Sequence, residues 1–425
     1  MKNYLSQLDD RSLGIVREAG ALAHGIGLRA FVAGGCVRDL ILSRKVKDLD
    51  IVIDGDAVLV ARKFAAIHHG RIVVYAQFGT ATVTLPEGRA VDFTSVRREN
   101  YPYPGALPVV SSGSLEEDLF RRDFTINAMA IVISPGSFGS LIDQYGGLND
   151  LKRKVVRILH DQSFIDDPTR ILRAVRFEQR FGFTIELETL RLLRQAIRRK
   201  AVHSVKSQRF FEEFKKNLKE IAAPQNVQRL SELGVLRSLG DGVTLGRRDS
   251  QLMREAARSL LWAKKNLEDW AGVSGWLVYW MALCDGVSLR VATKVLEQFS
   301  FTHVDKIKTV DALSVRNIIK QLAQKQMPKS AVFALLRSRS IEELFFFWSK
   351  TSSKLVRSRI QKFLLEWRHL SLRITGEDLK HLGVPSGKIF KNILDQVLYR
   401  VVDGHCQSRS EQLAYAQSLY QQSQR

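Results

Sequence analysis

The sequence predicts an α+β protein: a head with a small mixed β-sheet, followed by an all-helical neck, body and tail in an elongated arrangement. Three observations predict it. Short β-like runs separated by glycine-containing turns fill the first part of the chain, the pattern turns helical almost throughout beyond residue 160, and 425 residues exceed what one hydrophobic core holds. These shifts divide the chain into an α+β part up to about residue 150 and a helical part beyond residue 160.

The β-like runs are AFVAGG (30–35), LDIVIDG (49–55), RIVVYA (71–76), TATVTL (80–85) and AVDFTS (90–95). The last two flank Pro86-Glu87-Gly88, a turn signal that makes them a hairpin. Helical stretches precede Phe31 and follow Val37 and Asp56. Past residue 160 only Pro168, Pro224, Pro328 and Pro385 interrupt the helical pattern, and apolar residues recur at spacings of three and four, as in Leu190, Leu193, Ala196 and Ile197. Basic residues crowd the polar faces, for example Arg191, Arg194, Arg198, Arg199 and Lys200.

With 45% hydrophobic and 26% charged residues the composition is that of a folded protein, and the formal net charge of +21 points to a polyanionic partner, nucleic acid first. Cys36, Cys284 and Cys406 are odd in number and far apart, which rules against a disulfide framework or a CxxC metal site and suits a reducing cytosol. No apolar run approaches the roughly 18 residues of a membrane span, and MKNYLSQLDD lacks the basic end and apolar core of a signal peptide. The expectation is a cytoplasmic protein with no membrane association. The histidines show no metal-ligand spacing, and zinc is not expected.

The strongest local signal runs from Gly34-Gly35-Cys36-Val37-Arg38-Asp39 to Asp48-Leu49-Asp50. A glycine pair between a strand and a helix lets backbone N–H groups approach phosphate closely, and Arg38 adds a charged fork. Residues two apart on a strand share a face, so Asp48 and Asp50 project together, a spacing that suits Mg²⁺ held jointly with substrate phosphates. Asp92, on AVDFTS, is a candidate third carboxylate; a strand aspartate making a structural hydrogen bond is an equal reading of the same pattern. An isolated DxD pair is more often a surface turn, and the upstream glycine loop is what favours chemistry here.

Five segments in order, GGCVRD (34–39), DLD (48–50), RRDFTINAMA (121–130), DQYGGLNDL (143–151) and DDPTRILRAVRF (166–177), resemble the class II nucleotidyltransferases, the group of bacterial CCA-adding enzymes and poly(A) polymerases. A weaker echo continues through SQRFFEEF (207–214), and the resemblance implies a head over 1–155, a neck over 156–220, a body over 221–330 and a tail over 331–425. The resemblance implies a tRNA nucleotidyltransferase that adds all or part of the 3′-terminal CCA from CTP and ATP without a nucleic-acid template. It assigns Asp48 and Asp50 to Mg²⁺ and, with Asp92 as a candidate beside them, to catalysis. Two metals would activate the RNA 3′-hydroxyl and neutralise the departing pyrophosphate. Nucleotide binding falls to Gly34, Gly35, Arg38, Arg122, Asn127, Asp167, Arg170, Arg173 and Arg176, with Arg121 and Asp123 in support; the helical tail is expected to bind tRNA.

Base choice follows from base edges. Cytosine and adenine each present an exocyclic amine donor beside a ring-nitrogen acceptor, whereas uracil and guanine present a carbonyl beside an N–H. Asp167 accepts from the amine and Arg170 donates to the ring nitrogen, which matches C and A and opposes U and G. An aspartate just before Pro168 can equally cap the helix that follows. Arg170, Arg173 and Arg176 recur every three residues and are expected along one side of that helix, toward a common ligand.

YPYPGALP (101–108) and SFIDDPTRILRAVRFEQRFGF (163–183) look closer to enzymes that add only A or only CC, which keeps partial activity among the expectations. In the family, the loop between Arg97 and Leu115 works as a lever in the switch from C to A. The alternatives are a poly(A) polymerase, which shares the head motifs but accepts many RNA ends, and a non-catalytic tRNA-binding protein. A small-molecule nucleotidyltransferase would explain GG and DLD but not the long basic helical half.

Overall fold

A computed structural model describes residues 3–46, 48–240, 242–299, 301–314 and 316–424. Its contacts group the chain into two compact units, Met1–Ala222 with Glu232–Val235, and Ala223–Ser231 with Leu236–Arg425.

The first unit is built on eleven strands: β1 (Arg29–Ala33), β2 (Leu49–Asp54), β3 (Arg71–Tyr75), β4 (Thr80–Thr84), β5 (Ala90–Ser95), β6 (Arg97–Asn100), β7 (Val109–Ser112), β8 (Ala130–Val132), β9 (Leu141–Ile142), β10 (Val155–Val156) and β11 (Thr184–Ile185). Its helices are α1 (Asp10–His24), α2 (Gly35–Ile41), α3 (Ala57–Ile67), α4 (Leu115–Phe120), α5 (Gly147–Arg153), α6 (Ser163–Asp166), α7 (Thr169–Phe181), α8 (Leu187–Arg198) and α9 (Ser207–Leu218).

Seven strands form one mixed sheet in the order β3-β4-β5-β2-β1-β8-β9. The β2–β5 pair is parallel and the other pairs are antiparallel. All five runs read as β-like are strands of this sheet, and the Pro86–Gly88 turn closes the β4–β5 hairpin. Alternation explains how the sheet carries both a core and a site. Leu49, Ile51 and Ile53 point to one face and are buried, as are Val16, Ala19, Val60 and Phe64 of α1 and α3, which pack on the sheet. Asp50 lies on the other face with Val52, which joins Phe31, Ala33, Leu119 and Ala130 in a second cluster.

The sheet leads into the neck through α5, whose start needs close approach: a Cβ on Gly147 would lie 2.3 Å from the Thr125 carbonyl oxygen. Asp143 accepts from the Gly147 and Leu148 amides at 2.7 and 2.9 Å and caps that start. Helix α7 then begins after Pro168, which fits a helix entry, and ends at Gly182 in the left-handed region, φ +64°. On α8, Leu193 and Ala196 are buried while Arg191, Arg194 and Arg198 are exposed, the amphipathic division their spacing predicts.

The second unit is helical. Helices Arg247–Asn266, Gly275–Cys284 and Ile341–Lys350 pack together around Trp280, Phe345, Phe346 and Phe347. Every residue from Trp276 to Cys284 is buried, so this helix is apolar on all sides and shows no stripe. A smaller cluster joins Ile374, Leu379, Ile393, Val397 and Ala416 near the end of the chain. No helix among the described residues is long and apolar enough to cross a membrane.

Candidate active site

The site starts at the end of β1. Gly34 has φ +75° and ψ −129°, a conformation for glycine, and a Cβ there would lie 2.2 Å from Arg122 Nη1. Glycine therefore both makes the turn and leaves room for a guanidinium. The Gly34 amide donates to the Met129 carbonyl at 3.0 Å, so that N–H is spent on the β1–β8 junction.

The register of the sheet places the carboxylates. Asp50 and Asp92 are direct neighbours across the parallel β2–β5 pair, and Thr82 is opposite Asp92 on β4. Asp92 Oδ1 accepts from Thr82 Oγ1 at 2.5 Å, so the structural hydrogen bond is real and the carboxylate still stands beside Asp50. Asp48 precedes β2 and is exposed. Burial pushes the Asp50 carboxyl above the usual carboxylate range; the Arg122 charge opposes this, and Asp92 and Asp48 add to it. A buried carboxylate raised in this way, with two more carboxylates beside it, fits a divalent cation. Among the described residues no three His, Cys, Asp or Glu side chains gather tightly enough to hold an ion alone, so such an ion would need oxygens from the substrate as well.

Beside these carboxylates lies a cleft of about 400 Å³ lined by Gly35, Arg38, Asp50, Arg122, Asn127, Asp167, Arg170 and Arg173, with Glu99, Tyr101, Arg121, Asp123 and Phe177. A second cleft of about 430 Å³ shares Gly35, Arg38 and Asp50 with it and holds Asp48. Most residues singled out in the sequence thus meet here.

A chain of buried polar contacts fixes the wall of this cleft. Arg38 donates to Asp39 at 2.9 Å and to Asn127 Oδ1 at 2.6 Å. Asn127 Nδ2 donates to Asp123 Oδ1 at 2.8 Å. Asp123 Oδ2 accepts from Arg173 Nε and Nη2 at 2.7 and 2.5 Å, which ties the head motif to the neck helix. Burial alone would raise the Asp123 carboxyl, but Arg173 and Asn127 outweigh it and hold it below the usual range. Next to it, Asp118 is fully buried and accepts from Arg121 at 2.8 Å on one oxygen and Arg122 at 2.9 Å on the other.

The base-reading candidates are held as firmly. Arg170 is buried and donates to Ser163 Oγ at 2.5 Å and to the Arg121 carbonyl at 2.8 Å. Asp167 Oδ1 accepts from the Thr169 amide at 3.0 Å and its hydroxyl at 2.6 Å, the helix-entry contact foreseen for an aspartate before Pro168. Its Oδ2 pairs with Arg209 at 2.7 Å and keeps a lone pair free for another donor. Arg176 does not line the cleft. It lies 3.8 Å from Glu213 and over the Phe177 ring. A step of three residues turns about 300° on a 3.6-residue helix, so Arg176 sits about 120° round from Arg170.

Sequence reasoning gave no role to Glu99, Tyr101, Arg209 or Glu213. Glu99 bridges Arg97 and Arg121 at 3.0 and 2.8 Å, and Tyr101 donates to Glu99 at 3.0 Å. The available signal was SQRFFEEF, where Arg209 and Glu213 are four apart and share a helix face.

Residues 30–157 match the Poly A polymerase head domain. The chain is 33% identical over 414 residues to the A-adding tRNA nucleotidyltransferase of Geobacter sulfurreducens; the match covers 96% of this chain and 47% of that one, so the chain spans about half of that relative's length. It is 30% identical over 421 residues to the A-adding tRNA nucleotidyltransferase of Halalkalibacterium halodurans, covering 97% of this chain and 94% of the relative. The Thermotoga maritima CCA-adding enzyme, solved in complex with tRNA, superposes with a TM-score of 0.77 at 29% identity and covers 98% and 97% of the two chains. With a relative matched over nearly its whole length and this architecture, the chain belongs to the family of tRNA nucleotidyltransferases and poly(A) polymerases.

Proposed function

We propose that this chain transfers nucleotides from CTP or ATP to the 3′ end of tRNA without a nucleic-acid template, as part or all of CCA synthesis. The observation that carries the reading is the meeting of Asp48, Asp50, Arg122, Asp167 and Arg170 around two adjoining clefts that share Asp50, with Asp92 next to Asp50 across the β2–β5 pair. A binding protein has no need for that combination.

In this reading Asp48 and Asp50 would hold Mg²⁺, with Asp92 alongside; once bound, the metal would supply charge neutralisation at the reacting phosphate and lower the pKa of the attacking hydroxyl. Arg122, pinned by Asp118, and Arg38, pinned by Asn127, orient the triphosphate with planar guanidinium forks. Asp167 and Arg170 face the base edge, accepting from the amine and donating to the ring nitrogen of C or A. The RNA 3′-oxygen attacks the α-phosphate, the bond to the bridging oxygen breaks, and pyrophosphate leaves. The basic helix faces, such as Arg191, Arg194 and Arg198, are suited to RNA phosphates.

Two relatives matched over 96% and 97% of this chain are A-adding enzymes, which favours the terminal adenosine as the part this chain adds. The four-part division into head, neck, body and tail and a cytoplasmic location belong to the same proposal. The test is transfer of single nucleotides to tRNA by the wild type and by Asp50→Ala. Loss of transfer with retained tRNA affinity supports the assignment; unchanged turnover sinks it.

A further inference from the structure

Part of the sheet face that carries the carboxylates is open to solvent. Val73, Thr82, Asp92 and Asp50 stand in one line across β3, β4, β5 and β2, and Tyr75 and Thr80 stand opposite each other in the next. Directly opposite residues share a face, so Val73 and Tyr75 lie on the side of Asp50 and Asp92. The helix that packs on β3, β4 and β5 is α3, and it covers the other face, where Phe64 meets Phe93 with 5.3 Å between ring centroids.

Exposure on β3 runs against hydrophobicity. Ile72 and Val74, on the α3 side, are half-buried, whereas Val73 is 51% and Tyr75 48% exposed. Arg71, on the same face, is exposed and makes no ion pair among the described residues. Next to this strand the half-buried threonines 80, 82 and 84 of β4 add a row of hydroxyls. A ring for stacking, hydroxyls for sugar and phosphate oxygens and an unpaired guanidinium are the groups a sheet uses to hold a single nucleic-acid strand.

Strand order sets the direction of approach. Gly34 and Arg38, at the end of β1 and in α2, lie on one side of β2, and β5, β4 and β3 lie on the other. In-line transfer puts the entering oxygen and the departing pyrophosphate on opposite sides of phosphorus. With the triphosphate toward Gly34 and Arg38, the attacking hydroxyl comes over β5 from the β4 and β3 side. Three strand spacings separate β3 from β2, about 14 Å, which is on the order of four stacked nucleotides and fewer in an extended strand.

We propose that the open face of β3 and β4 is the track for the unpaired 3′ end of the receiving RNA: Tyr75 stacks one of its bases and Arg71 meets its phosphate, so that the 3′-hydroxyl is delivered at Asp92 and Asp50. The proposal rests on the reading of those aspartates as the site of transfer.

The test measures equilibrium binding of two tRNA transcripts, one ending in CC and one cut back past its unpaired 3′ end, and takes the ratio of the two Kd values as the gain from the single strand. Tyr75→Ala should reduce this gain at least fivefold, the low end for losing one base–aromatic stack, and leave the Kd of the cut-back transcript at its wild-type value. Tyr75→Phe keeps the ring and should restore the gain. Arg71→Gln should lower the salt slope by about one for the CC-ended transcript only. Ile67→Ala, an exposed apolar position on α3 behind the sheet, should change neither Kd.

An unchanged gain in Tyr75→Ala, or an equal loss of affinity for both transcripts, would overturn the track. So would a wild-type dimer that Tyr75→Ala dissociates in sedimentation velocity, because a second copy would then cover this face. Transfer by the wild type is measured alongside. Missing transfer with the gain intact counts against the catalytic reading, whereas transfer with an unchanged gain in Tyr75→Ala counts against the track alone.

Discussion

Asp123→Asn removes the charge on which the head-to-neck contact turns. Its carboxylate accepts four hydrogen bonds: from the Phe124 amide at 2.9 Å, Asn127 at 2.8 Å, and Arg173 at 2.7 and 2.5 Å. The amide keeps one acceptor oxygen and turns an NH₂ group against donors on one side or the other. Arg173 is then left with Glu213 at 3.7 Å as its remaining carboxylate. Breaking a buried ion pair by removing one partner costs about 3 to 5 kcal/mol, and the surviving Glu213 places this case at the low end, about 3 kcal/mol. The assay is equilibrium urea unfolding, followed by a probe in the first unit because a chain of two units need not unfold in one step.

The pH dependence provides a second check. The Asp123 carboxyl is held below its ordinary value, so it contributes stability that is fully present above the unfolded pKa, about 3.9, and is lost as pH falls through the lower folded value. The variant has no such group. Its deficit against wild type should stay constant from neutral pH down to about pH 5 and shrink below about pH 4. A deficit under about 1 kcal/mol, or one that does not shrink in acid, would refute the account of this contact.

Three further outcomes are expected. Gly34→Ala puts a side chain into a glycine conformation, at about 1 to 3 kcal/mol, and 2.2 Å from Arg122 Nη1, so the KM for nucleotide should rise at least tenfold; Gly136→Ala, where nothing lies within 4 Å, should leave it unchanged. The Mg²⁺ concentration for half-maximal transfer should increase as pH falls toward the range where the raised Asp50 carboxyl protonates, and Asp92→Asn should lessen that increase; a flat profile counts against a metal at Asp50. Arg170→Ala should relax base choice, measured as misincorporation of U or G on tRNA; misincorporation at the wild-type level would remove Arg170 from base reading.

Much of the head was legible because its strands alternate or run apolar between glycine turns. Strands β8 and β9 were not, being only three and two residues long, too short for any period to register. The β6–β7 ribbon, RREN against VVSS, has no apolar face and is pinned instead by Glu99 to Arg97 and Arg121, a contact no local pattern reveals. Within the site, Asp48, Asp50, Arg122, Asp167 and Arg170 stood out because ordered motifs carry them. Arg209 and Asp118 act through residues 42 positions away and three or four positions away, and their roles depend on which carboxylates are buried beside which guanidinium groups. Arg176 shows the limit of reading by spacing: three-residue steps drift round a helix, and only the packing of α7 on α9 shows where the drift ends.

The most direct test of the central claim is single-nucleotide extension of three tRNA transcripts, ending before CCA, after C and after CC, with Mg²⁺ and CTP, ATP or both. Template-free transfer of C or A, no transfer of U or G, and loss of all transfer in Asp50→Ala are expected; for an A-adding enzyme, only the CC-ended transcript is extended, by one A. No extension of any transcript, or extension that survives Asp50→Ala, would contradict the claim.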